Sequence, residues 1–252
     1  MAVLSNTGIR AGASGVVADS TYRVKRSVRF DEDSTSYINR TPSSAGNQKT
    51  YTISHWMKLH DIDTSGHVMS GHSQGHGVYL RINEANIKFT QYTASYNPQW
   101  SLESTAEYRD LSAWYHIVCA VDTTQVTESN RVKVYINGEQ ITAWDVETYP
   151  GRDDDTNFNE ATNHTMGVNV WDGTINDYRN ISIADAYFID GSAKAPSDFG
   201  ETDATTGQWV PKEYTGSYGT NGFHLAMDPD EVNPFGHDSS GNGNHWTANN
   251  LS

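Results

Sequence analysis

The stretch that most constrains this chain is residues 131–141, RVKVYINGEQI. Val132, Val134 and Ile136 recur at every second position, the period of a strand with one buried face. Asn137-Gly138 follows at once and supplies the two φ > 0 positions of a type I′ hairpin turn. Such a turn sets the register of the strands it joins. AWYHIVCAV, residues 113–121, carries a matching alternation. Tyr115, Ile117, Cys119 and Val121 share one face, and Trp114, His116 and Val118 take the other. The first set is expected to pack with Val132, Val134 and Ile136 between two sheets.

Other segments read the same way. YRVKRSVRF (22–30) alternates loosely through Val24, Arg26, Val28 and Phe30. YTISHWMKL (51–59) sets Tyr51, Ile53, His55, Met57 and Leu59 against Trp56. VYLRI (78–82) and NIKFTQY (86–92) flank a short turn and predict a hairpin. Further strands are expected at 164–170, 180–189 and 222–227. Helical periodicity is confined to one turn around Pro196-Ser197-Asp198-Phe199. Of 252 residues, 36% are hydrophobic, with 7 Trp, 14 Tyr and 21 Gly. Many strands joined by Gly, Asn and Asp turns predict an all-β, two-sheet antiparallel sandwich.

The net charge of −14 argues against nucleic-acid binding, which needs clustered Lys and Arg. The charge is uneven. Residues 1–30 hold Arg10, Arg23, Lys25, Arg26 and Arg29 against Asp19. Residues 1–21, small and aperiodic, read as an extended N-terminal arm, with the sandwich expected over 22–252. A basic arm on an acidic body is expected to meet an acidic partner, either another copy of this chain in a homo-oligomer or a different protein. The other reading of these cations is a solvated strand face. The single cysteine, Cys119, forms no intrachain disulfide. No secretory signal is visible at the start, and no apolar run approaches the ~20 residues of a membrane span.

"SVRFDEDSTSYINRTPS", "KTYTISHWMKL", "LSAWYHIVCAVDTT…NRVKVYINGEQIT" and "ISIADAYFIDG" resemble successive strands of a concanavalin A-like lectin/glucanase domain of the laminin G-like type. The resemblance covers roughly residues 24–250 and implies a jelly-roll sandwich. "NTGIRAGASG", "SDFGETDATTGQWVPKEYTGSYGTNGFHL" and "DSSGNGNHWTANN" resemble pieces of laminin G-like proteins of marine bacteriophages, in tail fibres and other virion parts. That resemblance implies a non-enzymatic virion structural protein, an adhesion or decoration module assembled in the host cytoplasm. The alternatives are a lectin module for host-surface glycans and a glycan hydrolase of the same fold. A segment that is first in many laminin G-like domains is last here, so residues 222–250 are expected to close the sandwich as in a circular permutation.

The resemblance also frames the candidate sites. Some relatives hold a structural Ca²⁺ on an Asp comparable to Asp238 in HDSSGNGNHW (237–246), and Asp228 lies upstream; no other cofactor is expected. The competing reading is that Asp238 bonds its own turn. RDDDTNFNE (152–160) lacks the Gly and closing Glu of an EF-hand and reads as a solvated loop. GHVMSGHSQGHG (66–77), with His67, His72 and His76, reads as a mobile polar loop rather than a zinc site. Glucanases of this fold carry E-x-D-x-x-E on a strand; Glu201-Thr202-Asp203 lacks the third acid and reads as a loop, so no catalytic residue is assigned. Trp56, Trp114 and Tyr135 face away from the aliphatic positions. They are candidates for sugar stacking, or for a second layer of core.

Overall fold

The computed structural model describes residues 22–62, 65–73, 76–95, 97–171, 174–228, 231–233 and 235–251. The arm at 1–21, Arg10 included, lies outside them. Two antiparallel sheets form a sandwich. The first runs, in spatial order, Val28–Phe30, Ile181–Asp190, Thr50–Leu59, Tyr115–Asp122, Val132–Ile136 and Glu139–Gln140, with Phe223–Leu225 also on the Ile181–Asp190 strand. The second runs Trp144–Thr148, Pro98–Glu107, Asn86–Tyr92, His76–Asn83, Gly66–Ser73, Asn163–Met166, Tyr37–Arg40 and Thr247–Asn249. Helix among the described residues is limited to two 3-10 turns, Glu128–Asn130 and Pro196–Asp198, and no helix is long and apolar enough to cross a membrane.

The 131–141 hairpin forms as its sequence demands. Asn137 and Gly138 have φ of 48° and 87°. Ile117 pairs with Ile136, Cys119 with Val134 and Val121 with Val132. These side chains enter one core with Ile53, Met57, Val78, Leu80, Phe89, Trp100 and Met166 of both sheets. His55 shares that inner face, fully buried, and burial holds its pKa down at about 4, so it stays neutral.

The first sheet is buried on both faces. Outward of it, Val118, Tyr187, Ile189, Phe199 and Tyr214 make a second core, with Tyr135 and Tyr218 packed against it. Residues 191–221 supply the cover. A bulge makes this possible. Ala184 pairs with Trp56 and Tyr187 with Ser54, leaving one extra residue on the Ile181–Asp190 strand, and Asp185 there has φ of 51°. The insertion flips the side-chain parity, so Ile181 and Ile183 point inward before it and Ala186 and Phe188 after it.

Four expectations are corrected. The strand at 22–30 shrinks to Val28–Phe30. Val28 pairs with Ile183, so earlier residues would meet the bulge and then Ala186, whose edge Leu225 already occupies. The described part of 66–77 lies on strands rather than in a mobile loop: Gly66–Ser73 and His76–Asn83 pair through most of their length in the middle of the second sheet. A ladder is held by backbone groups, so polar side chains do not prevent it. The 164–170 strand divides into Asn163–Met166 and Asn169–Trp171 at Gly167, where φ is 86° and the Phe30 ring closes the space a Cβ would need. In 152–160, Asp153 and Asp155 are solvated, but Thr156, Phe158 and Asn159 are buried, and Phe158 stacks on Tyr51 at 5.5 Å between ring centres.

Ile117 is fully buried in the centre of its sheet. Ile117→Ala is expected to cost about 2–5 kcal/mol, read as a lower denaturant midpoint, and Cys119 beside it to resist thiol reagents until unfolding. An unchanged midpoint would show that this strand is not central.

Candidate functional site

The I′ turn carries more than register. Residues Gly200–Thr202 and Trp209–Pro211 form a small hairpin over the outer face of the first sheet. Trp209 at its return lies against both Gly138 and Gly200: a Cβ at either would stand 2.7 Å or 2.5 Å from the indole. Its Nε1 donates to His116 Nδ1 at 2.9 Å. An indole nitrogen only donates, so Nδ1 is the bare nitrogen and Nε2–H donates to Ser54 Oγ, 2.9 Å away. Burial pushes the His116 pKa down to about 3, which keeps the ring in this neutral form. Trp56, His116 and Trp209 are near-parallel, with centres 4.9 Å and 6.1 Å apart and tilts of 21° and 24°.

This stack borders an open cleft of about 600 Å³. Trp56, Trp114 and Trp209 line it with Asn137, Glu139, Thr202, Gly207 and Gln208. Trp56 is 8% exposed and forms wall, whereas Trp114 and Trp209 are half-buried. Asn137 Oδ1 accepts the His116 N–H at 2.8 Å, which fixes the amide and leaves its NH₂ toward other partners. Apolar rings with a few convergent polar groups are the usual make-up of a small-molecule site.

Two of the three aromatic candidates therefore meet in one cleft, and Tyr135 packs instead into the second core. Sequence reasoning did not single out Trp209. Its signal was the Gly-Gln-Trp after a Thr-rich turn, flanked by two short strand-forming triplets. Glu201-Thr202-Asp203, expected as a loop, begins on a strand, and Asp203 opens the turn. Its Oδ1 accepts Thr205 N–H, Thr206 N–H and Thr206 Oγ–H. Those bonds lower its pKa. Glu139 is the one carboxylate lining the cleft among the described residues.

Asp238 is 3% exposed and belongs to its turn. Oδ1 accepts His224 N–H and Ser240 N–H, each at 2.9 Å; Oδ2 accepts Ser240 Oγ–H at 2.9 Å and Asn244 N–H at 2.8 Å. Both oxygens face donors, where a calcium ion needs further oxygens. Asp228 follows the Phe223–Leu225 strand, half-buried, and among the described residues no three His, Cys, Asp or Glu side chains form a metal-holding group. The residues present do not fit a calcium site. The loop instead sews the chain end to its neighbours. Asn242 and Asn244 donate to the carbonyls of Gly219, Thr220 and Gly222, and Arg40 donates to Asn244 Oδ1. Trp246 then enters the core, edge-on to Phe223 at 5.1 Å. His67 and His72 lie on the outer face of the second sheet, both buried. Arg23, Lys25 and Arg26 are exposed, while Tyr22 between them and the arm is held by Asp185, to which its hydroxyl donates at 2.6 Å.

Residues 32–184, more than half of the chain, match the family model of the concanavalin A-like lectin/glucanases superfamily, and the chain belongs to that superfamily. No curated protein sequence matches it. Among solved structures it is similar to a carbohydrate-binding protein of Bacteroides ovatus whose assignment is provisional, at 12% identity and a TM-score of 0.55 over 90% of this chain and 58% of that one. It is also similar to the receptor binding domain of botulinum neurotoxin D, at 15% identity and a TM-score of 0.50 over 69% of this chain and 42% of that one. This chain thus spans less than two thirds of either. At such identities the likeness is one of fold.

Replacing Asp238 leaves four donors unpaired, some of them buried. Asp238→Ala is expected to lose on the order of 3 kcal/mol of stability. Thermal melting of the unaltered protein is expected to be indifferent to chelator and to added calcium. A melting temperature raised by calcium and lowered by chelator would overturn this assignment of the loop.

Proposed function

We propose that this domain is a non-enzymatic glycan-binding module, carried on a bacteriophage particle for attachment to a host surface. The cleft between Trp114 and Trp209 carries the binding half of the proposal. A sugar ring has a face of C–H bonds that packs on an indole and a rim of hydroxyls that needs donors and acceptors. Asn137, Gln208, Thr202 and Glu139 provide both kinds around the rings. Hydrolysis by the route of this fold needs two carboxylates across the glycosidic bond, and among the described residues the cleft lining offers one. The superfamily and the provisional binding assignment of the Bacteroides neighbour support the same reading.

The particle half rests on the resemblance of the first, 197–225 and 238–250 segments to virion proteins. On that reading the basic residues Arg10, Arg23, Lys25 and Arg26 attach the module to another virion protein or to a second copy of itself, by salt-sensitive attraction.

Binding is tested on a glycan array, followed by calorimetry on the best ligand. Trp209→Ala is expected to weaken that ligand at least tenfold while far-UV circular dichroism stays unchanged. Equal binding by the variant would remove the cleft from the proposal. Mass spectrometry of purified particles is expected to find this chain at a fixed ratio to the capsid protein, and its absence from particles would contradict the virion role.

A further inference from the structure

The cleft's charge is as informative as its rings. On the glycan-binding reading above, on which this step rests, we infer that the cleft selects uncharged glycans and rejects uronate and sulfated ones. Of its eight lining residues Glu139 is the charged one, and it is exposed with no ion pair among the described residues. Among the described residues no Lys or Arg lines the cleft. His116, stacked between Trp56 and Trp209, is the one group of the stack that could carry a positive charge, and burial, which lowers its pKa to about 3, together with the Trp209 bond favours its neutral form. The hairpin that forms one side adds Glu201 and Asp203, both on the same −14 body. Recognition of carboxylate or sulfate uses guanidinium or ammonium donors, and the described lining has none. An anionic chain entering here would lose its hydration and meet like charge.

The polar inventory fits hydroxyls instead. Asn137 presents NH₂, because its oxygen is committed to the His116 backbone. Gln208 and Thr202 are each donor and acceptor. Glu139 only accepts, so it calls for a ligand O–H or amide N–H, the groups of a hexose or an N-acetylhexosamine. A charge-assisted bond of that kind is the strongest single contact on offer in the cleft.

The test uses neutral gluco-, manno- and galacto-oligosaccharides and N-acetylglucosamine oligomers, with polyuronates and sulfated galactans as the anionic arm. Affinity is measured by calorimetry at 50 and 500 mM NaCl for the unaltered protein, Trp209→Ala, Glu139→Gln and Glu139→Lys. Position 139 is exposed at a sheet edge, so its variants are expected to fold. The expected result is binding of at least one neutral probe, lost in Trp209→Ala and changing less than twofold with salt. Glu139→Gln should weaken that probe several-fold, and Glu139→Lys should gain affinity for polyuronate. Trp209-dependent binding of a polyuronate or sulfated galactan tenfold tighter than any neutral probe, and weakened by salt, would overturn the inference and leave the glycan reading standing. Binding of no probe in either arm would remove both.

Discussion

A β-sheet buried on both faces needs two covers, and that requirement organises this molecule. The inner face of the first sheet is covered by the second sheet. The outer face carries Val118, Tyr187 and Ile189, and water is kept from them by residues 191–221, a segment whose regular structure is one 3-10 turn and one short hairpin. Phe199, Tyr214 and Tyr218 seal the middle of that cover. At its margin Trp209 settles on the glycine of the I′ turn. The lack of a side chain at Gly138 thus serves two ends: it permits φ of 87°, and it lets an indole approach the backbone. The cleft is the gap left where the cover stops.

The parts that were legible are those in which period and turn chemistry agree. Residues 113–121 and 131–141 show their pairing, their inner face and their turn, because each inward position is apolar and the two φ > 0 residues are Asn and Gly. Thr50–Leu59 is legible for the same reason. The second sheet was half hidden. Gly66–Ser73 lies in its middle and Tyr37–Arg40 next to its edge, with His, Ser, Asn and Arg side chains that break the apolar alternation. ISIADAYFID hides its two faces in another way: the bulge at Asp185 changes parity midway, so no single alternation fits the strand. Trp56 and Trp114 could be placed on an outward face from alternation alone. Trp209 could not be placed beside them, because it stands 153 and 95 residues away from them along the chain and its seat depends on two glycines leaving room.

The closing loop shows why a polar string rich in Gly and Asn resists a functional reading. HDSSGNGNHW has the donor types of a metal loop and the turn residues of a plain one. The distinction lies in what surrounds Asp238. Two backbone N–H groups within the loop, one from His224 and one hydroxyl take all of its capacity. The carboxylate is spent on holding residues 219–224 and 237–246 together, which lets Phe223–Leu225 add to the first sheet and Thr247–Asn249 to the second.

The central claim is that the indoles lining the cleft beside the I′ turn are the ligand-binding surface. The most direct measurement is a titration of ¹⁵N-labelled protein with the tightest neutral oligosaccharide, following the indole N–H signals of all seven tryptophans. The account predicts large, saturable shifts for Trp114 and Trp209 and for the Asn137 side-chain amide, with Trp100 and Trp246 in the core unmoved. Shifts confined to the outer face of the second sheet, with Trp114 and Trp209 unchanged at saturation, would contradict it.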